Sequence, residues 1–131
     1  MYLHPRLNKI APMNTTIPHL VPEIPMLDIA KAKQFYCEQM GCTLLSECPD
    51  FLILELEGQE FQLWLCEDKA IPESSSIYIR TTDIDACYAR YRHMPVVLPL
   101  QLRPWGIPEF YIMDVSGNLL KFGSVVTPHQ K

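Results

Sequence analysis

Aromatic and acidic side chains, rather than nucleophiles, hold the positions in this sequence that are suited to chemistry. Trp105 stands between Pro104 and Gly106, in a stretch whose composition reads as a loop. A tryptophan that only fills a core is rarely found there, whereas a loop indole can offer a flat face to a ligand. Phe51 opens an alternating run and serves equally as a ligand-facing ring or an ordinary core residue. Trp64 shares a strand face with Gln62 and Glu60, and either lines the same cavity or packs under the first helix. Glu23 and Glu60, if they face a shared cavity, add negative charge for a cationic ligand, whereas Lys121 on that face would repel such a ligand or pair with Glu23 or Glu60. Groups for catalysis are scarce. The histidines His4, His19, His93 and His129 flank no serine or cysteine in a nucleophile motif. Glu23, Glu55 and Glu60 could approach one cavity, yet no spacing marks an acid–base pair. Cys37, Cys42, Cys48, Cys66 and Cys87 are odd in number and lack C-x-x-C spacing. They are expected to be reduced core thiols, not a disulfide frame or a zinc site.

Composition narrows the setting. The chain has 131 residues, 48% hydrophobic and 20% charged, with a net charge of −4. That is enough apolar material for a folded domain with a real core. The acidic balance argues against a nucleic-acid partner, which requires a basic footprint, and suits a cationic small molecule. No stretch approaches the roughly 20 apolar residues needed to span a bilayer, and the start carries no apolar core of a secretory signal. Together with reduced thiols, these features lead us to expect a cytoplasmic protein without a membrane partner.

The elements that must position these side chains can be read from periodicity. Pro5, Pro12 and Pro18 discourage regular structure over residues 1–18, an irregular arm. Leu20 to Met26 reads as a short strand whose Pro22 and Pro25 confine it to an edge, a bulge or a crossing between subunits. Asp28 caps a helix bearing Ile29, Ala32, Phe35, Tyr36 and Met40 on one stripe, stopped by Gly41. Leu44 to Cys48 reads as a strand. Phe51 to Glu57 and Glu60 to Cys66 then form a hairpin around Gly58-Gln59. The pattern repeats: a strand at Ser76 to Arg80, a helix capped by Asp83, a strand at Val96 to Leu98, and a hairpin of Phe110 to Val115 with Asn118 to Gly123. Asp28 precedes Tyr36 by eight residues, as Asp83 precedes Tyr91, and Phe51 precedes Gly58 by seven, as Phe110 precedes Gly117. Four extra residues enter the second half around Arg103-Pro104-Trp105-Gly106. Two β-α-β-β-β units in tandem are indicated.

Tandem units of this kind resemble the glyoxalase, bleomycin-resistance and extradiol-dioxygenase (vicinal oxygen chelate) superfamily, and its bleomycin-resistance branch in particular. The matching stretches are Val21-Pro22-Glu23-Ile24-Pro25, Phe35-Tyr36, Pro49-Asp50-Phe51, Arg103-Pro104-Trp105-Gly106 followed by Glu109-Phe110, and Asp114 through Gly123. The resemblance implies an α+β fold: one domain over 19–131, with modules over about 19–67 and 74–124 and a tail over 125–131. It also implies an arm- or strand-exchanged homodimer, with Val21, Pro22 and Pro25 in the exchanging segment. Enzymes of the superfamily hold a divalent metal with His, Gln or Glu. Here the corresponding positions offer Gln62 and Lys121, with only Glu23 and His19 nearby, so no metal and no cofactor are expected. Bleomycin-resistance proteins bind rather than react, stacking the drug's flat bithiazole on aromatic rings with its cationic tail near acids. Carried over by motif, the stacking pair is Phe51 and Trp105, and Gly106, Gln62, Trp64, Glu60, Glu23 and Lys121 complete the expected site. The implied function is sequestration of a bleomycin-like drug, free or metal-chelated, which confers resistance. A lyase, isomerase or dioxygenase with a displaced metal, and a module for another natural product, are the competing readings.

Overall fold

The computed structural model describes residues 16–126. Most of the expected arm and the end of the tail lie outside these residues, as do His4 and His129. Two four-stranded sheets carry the fold. The first contains β1 (Glu23–Met26), β2 (Thr43–Cys48), β3 (Phe51–Leu56) and β4 (Gln59–Leu65), in the order β1-β4-β3-β2. The second contains β5 (Ser76–Thr81), β6 (Val96–Leu102), β7 (Pro108–Met113) and β8 (Leu119–Ser124), in the order β5-β8-β7-β6. In each sheet the first strand runs parallel to the last and the other pairs are antiparallel. Helix α1 (Ile29–Lys33) links β1 to β2, α2 (Ala70–Glu73) precedes β5, and α3 (Ile84–Tyr91) links β5 to β6. The tandem α+β repeat read from the sequence is therefore present.

Local chemistry explains most of the boundaries. Asp28 and Asp83 both have extended φ, and their carboxylates accept from the backbone N–H groups of Lys31 and Ala86 at 3.0 Å, satisfying donors that a helix start leaves open. The helix expected to reach Gly41 instead leaves α geometry after Lys33 and winds as a π-helix over Gln34–Gln39. Met40 N–H donates to the Phe35 carbonyl, five residues back, and Phe35, Tyr36 and Met40 all end buried. The first hairpin turns on Glu57-Gly58, not Gly58-Gln59: Leu56 pairs with Gln59, and both central residues have positive φ, +49° and +83°, the pattern that matches strand twist. β1 is shorter than expected and begins at Glu23, though the Pro22 carbonyl still accepts from Gln62 N–H at 2.9 Å. β6 runs four residues beyond Leu98. Its register slips twice, between Val96 and Leu98 and again between Leu98 and Gln101 across Pro99, irregularities an edge strand tolerates.

One core joins both halves. Phe35, Tyr36, Met40, Leu52, Leu54 and Leu63 from the first pack with Tyr91, Phe110, Ile112, Leu120 and Phe122 from the second. The rings of Phe110 and Phe122 stack at 4.7 Å. A buried polar clasp then fixes the halves together. Asp114 Oδ1 accepts from the backbone N–H groups of Ser116, Gly117 and Asn118, closing the β7–β8 turn. Its Oδ2 accepts from Asn118 Nδ2 and, across the core, from the Tyr36 hydroxyl at 2.6 Å. Asn118 Nδ2 also donates to the Pro25 carbonyl, and Ser116 Oγ accepts from Leu27 N–H. Burial, followed by the neighbouring Asp114 charge, pushes the Tyr36 hydroxyl well above its ordinary pKa. A buried carboxylate is tolerated only when its lone pairs are filled in this way.

With α1, α3 and the core on one side, each sheet keeps a second face turned away from the core. Those two faces carry the residues that the sequence marks out.

Candidate functional site

The face of the second sheet is organised by Glu109. Strand alternation puts Phe110 and Ile112 into the core and Glu109, Tyr111 and Met113 on the other side of β7. Glu109 is only 1% exposed, and all its described side-chain bonds come from uncharged donors. These are the Tyr78 hydroxyl, Trp105 Nε1 at 3.0 Å and the Tyr111 hydroxyl at 2.9 Å. The cross-strand neighbour of Glu109 is Gly123, and a Cβ there would sit 2.0 Å from Tyr78 Oη. The missing side chain is what lets Tyr78 reach across β8 from β5 to the carboxylate. Burial alone would raise the Glu109 pKa, but the three donated hydrogen bonds and the Arg103 charge outweigh it and hold the carboxyl below its usual range. Desolvation of the inward-turned hydroxyl, then the bond to Glu109, pushes Tyr78 up to about 12. Tyr111 is raised for the same reasons.

Trp105 belongs to this cluster through a tight loop between β6 and β7. Gly106 N–H donates to the Arg103 carbonyl at 2.8 Å, and Gly106 takes the left-handed conformation at φ +87°, which only glycine adopts at low cost. Pro104 and Gly106 thus set a turn that holds the indole out on the sheet face. There it is 56% exposed, with its N–H fixed on Glu109. Three cations lie over the rings of the cluster: Arg103 over Trp105 at 4.9 Å, Arg80 over Tyr78 at 4.6 Å and Lys121 over Tyr111 at 5.4 Å.

The first sheet presents a different face. Register places Glu23, Gln62 and Ile53 in one row, Pro25, Trp64 and Phe51 in the next, and Glu60 opposite Glu55. Phe51 and Trp64 are therefore direct cross-strand neighbours, and Trp64 is 38% exposed. Glu60 accepts from His19 Nε2 at 3.3 Å. A cleft of about 550 Å³ between the halves reaches both Glu60 and the Tyr78–Arg80 stretch, with Pro22 at its edge.

The expected residues thus divide into two groups. Phe51, Trp64, Gln62, Glu60 and Glu23 come together on the first sheet; Trp105, Gly106 and Lys121 come together on the second. Lys121 pairs with neither Glu23 nor Glu60; it lies over Tyr111, beside the Glu109 cluster. Val21 and Pro22 precede β1, and Pro25 lies within it, paired to β4 of the same chain. The sequence reading left out Glu109, Tyr78, Tyr111, Arg80 and Arg103 as site residues. The signal for Glu109 was available: an acid beside Phe110 at the start of an alternating strand, one position out of step with its core residues. The donors do not fit a divalent metal. Among the described residues no three His, Cys, Asp or Glu side chains converge, and Gln62 and Lys121 supply one amide and one ammonium.

Comparison with known proteins places the fold. Residues 16–122 match the model of the Glyoxalase/Bleomycin resistance protein/Dioxygenase superfamily. A bleomycin resistance protein of Geobacillus stearothermophilus is 25% identical over 122 residues, covering 78% of this chain and 92% of the relative. Among solved structures, the bleomycin-binding protein from bleomycin-producing Streptomyces verticillus, complexed with copper(II)-bleomycin, superposes with a TM-score of 0.76. It shares 20% identity, over 85% of this chain and 98% of its own. The bleomycin resistance determinant encoded on transposon Tn5 gives 0.74 at 17% identity, over 85% and 100%. With its tandem modules, two open sheet faces and matching residues, the chain belongs to the glyoxalase/bleomycin resistance protein/dioxygenase superfamily.

Proposed function

We propose that this protein is a cytoplasmic drug-sequestering protein that holds a flat, bleomycin-like aromatic compound by stacking and charge, without chemical change. The observation that carries the reading is Trp105: a large ring left more than half exposed, yet fixed by a hydrogen bond from its own N–H to a buried carboxylate. An ordered ring more than half exposed, steadied by Glu109 and by the Arg103 guanidinium over it, is already held in place, which lowers the entropy lost when a planar ligand stacks there. Kinship with bleomycin resistance proteins supports the same ligand class. The free cysteines suit a reducing compartment.

The functional unit in this reading is a homodimer. The first-sheet face carries Glu23, Glu55 and Glu60 around Phe51 and Trp64; the second carries Arg80, Arg103 and Lys121 around Trp105. A two-fold arrangement apposes the first face of each chain to the second face of its partner, with opposite charges and aromatic rings on both walls. Phe51 and Trp105, on separate sheets of one chain, then flank a single cleft. Pro22 and Pro25 stiffen the segment expected to exchange between subunits. Calorimetric titration with copper-free and copper-loaded bleomycin tests the function. Micromolar or tighter binding of one drug per chain is expected, and absence of heat with both forms overturns it. Sedimentation equilibrium reading a monomer at micromolar concentration would remove the dimer.

A further inference from the structure

The second-sheet face has cations to spare. Its buried carboxylate, Glu109, is occupied by Tyr78, Trp105 and Tyr111, none of which brings a compensating charge. Arg80 is tied to the Ser124 carbonyl at 2.8 Å. Arg103 Nη1 donates to Gln101 Oε1 at 3.3 Å and its charge helps to hold Glu109 ionised, but Arg103 and Lys121 form no ion pair among the described residues and rest on the rings of Trp105 and Tyr111. One polar atom here is unsatisfied: Arg103 Nε is buried and has no hydrogen-bond partner, a position natural structures seldom leave open. That buried N–H is closed to a surface ligand, but a guanidinium laid on an indole without a carboxylate partner leaves its charge for an acceptor oxygen carried by whatever stacks on that indole.

We propose that the group stacked at Trp105 carries an anionic substituent, of the carboxylate or sulfonate class, held by Arg103 with Lys121 adding charge from the neighbouring strand. The inference rests on the proposed use of this face for a ligand, and it adds a requirement that a purely cationic drug does not meet. The preferred ligand is dipolar, with an anion near Trp105 and its cationic part toward Glu23 and Glu60.

The test needs no natural ligand. The probe 8-anilinonaphthalene-1-sulfonate is compared with uncharged N-phenyl-1-naphthylamine by fluorescence, in the Trp64→Phe protein so that energy transfer reports proximity to Trp105. The sulfonate is expected to bind at least about tenfold more tightly than the uncharged probe and to weaken as salt rises. Arg103→Gln should remove most of that preference while weakening the uncharged probe far less. Lys121→Gln should weaken it less, and it carries the test if Arg103→Gln fails to fold. Equal affinity of the two probes, or a preference unchanged in both variants, overturns the proposal. Bleomycin titrated in parallel separates the two readings: sulfonate preference without drug binding removes the sequestering role alone, and drug binding without sulfonate preference removes this inference alone.

Discussion

Substituting Gly123 by alanine tests how the Glu109 cluster is built. The new methyl would lie 2.0 Å from Tyr78 Oη, 2.7 Å from Cζ and 2.9 Å from Cε1, so Tyr78 must swing away and release Glu109. A hydrogen bond to a charged acceptor is worth about 1.5–3 kcal/mol. Alanine in place of a strand glycine returns roughly 0.5–1 kcal/mol through lost backbone entropy in the unfolded chain. Gly123 does not occupy the left-handed region, so the backbone adds no strain. The net expectation is a loss of about 1–2 kcal/mol, or a fall of roughly 5 °C in Tm for a chain of this length. Urea unfolding monitored by circular dichroism measures it. The same substitution in a Tyr78→Ala background must reverse sign and stabilise slightly, because the ring it collides with is gone. An equal loss in both backgrounds would refute the steric account of Gly123.

Three further outcomes follow from the same structure. Tyr36→Phe removes the cross-core bond to Asp114 and should cost about 1–3 kcal/mol in urea unfolding, although the ring packing is retained. Tyr78 titrates near 12 in the folded protein, above its unfolded value, so its stabilising contribution is complete below pH 10 and is lost as pH rises toward 12. Glu109→Gln should bring that titration part-way back toward 10 in ultraviolet difference spectra; the acid-side contribution of Glu109, present above the usual carboxylate range and lost as pH falls through its lowered pKa, should vanish as well. Titration with zinc or manganese should show no stoichiometric binding, because Gln62 and Lys121 do not make a divalent site.

Much of the fold was legible because it depends on local rules. Aspartate caps, an apolar stripe at helical spacing and alternation around Gly58 and Gly117 announce helices and hairpins wherever they occur, and their recurrence gives the tandem unit. What escaped depends on distant partners. No local signal marks the π-helical winding after Lys33, which brings Phe35, Tyr36 and Met40 into one core. Asp114-Val115-Ser116-Gly117-Asn118 reads as a hairpin motif; its second task, clasping the halves through Tyr36 and Pro25, is visible only once residues 78 and 93 positions apart meet. The candidate site was half legible for the same reason. Trp105 stood out by its loop, and Phe51, Trp64, Gln62 and Glu60 by their strand. Glu109 and Tyr78 acquire meaning only through the gap that Gly123 leaves between them.

The central claim is that Trp105 is a ligand platform and not a surface ornament. The chain has two tryptophans, so the Trp64→Phe protein reports on Trp105 alone. Titrating that protein with bleomycin, with and without copper, should quench its fluorescence saturably at micromolar drug, and Glu109→Gln should weaken the response by freeing the indole. Fluorescence that stays unchanged through micromolar drug in both forms would contradict the account.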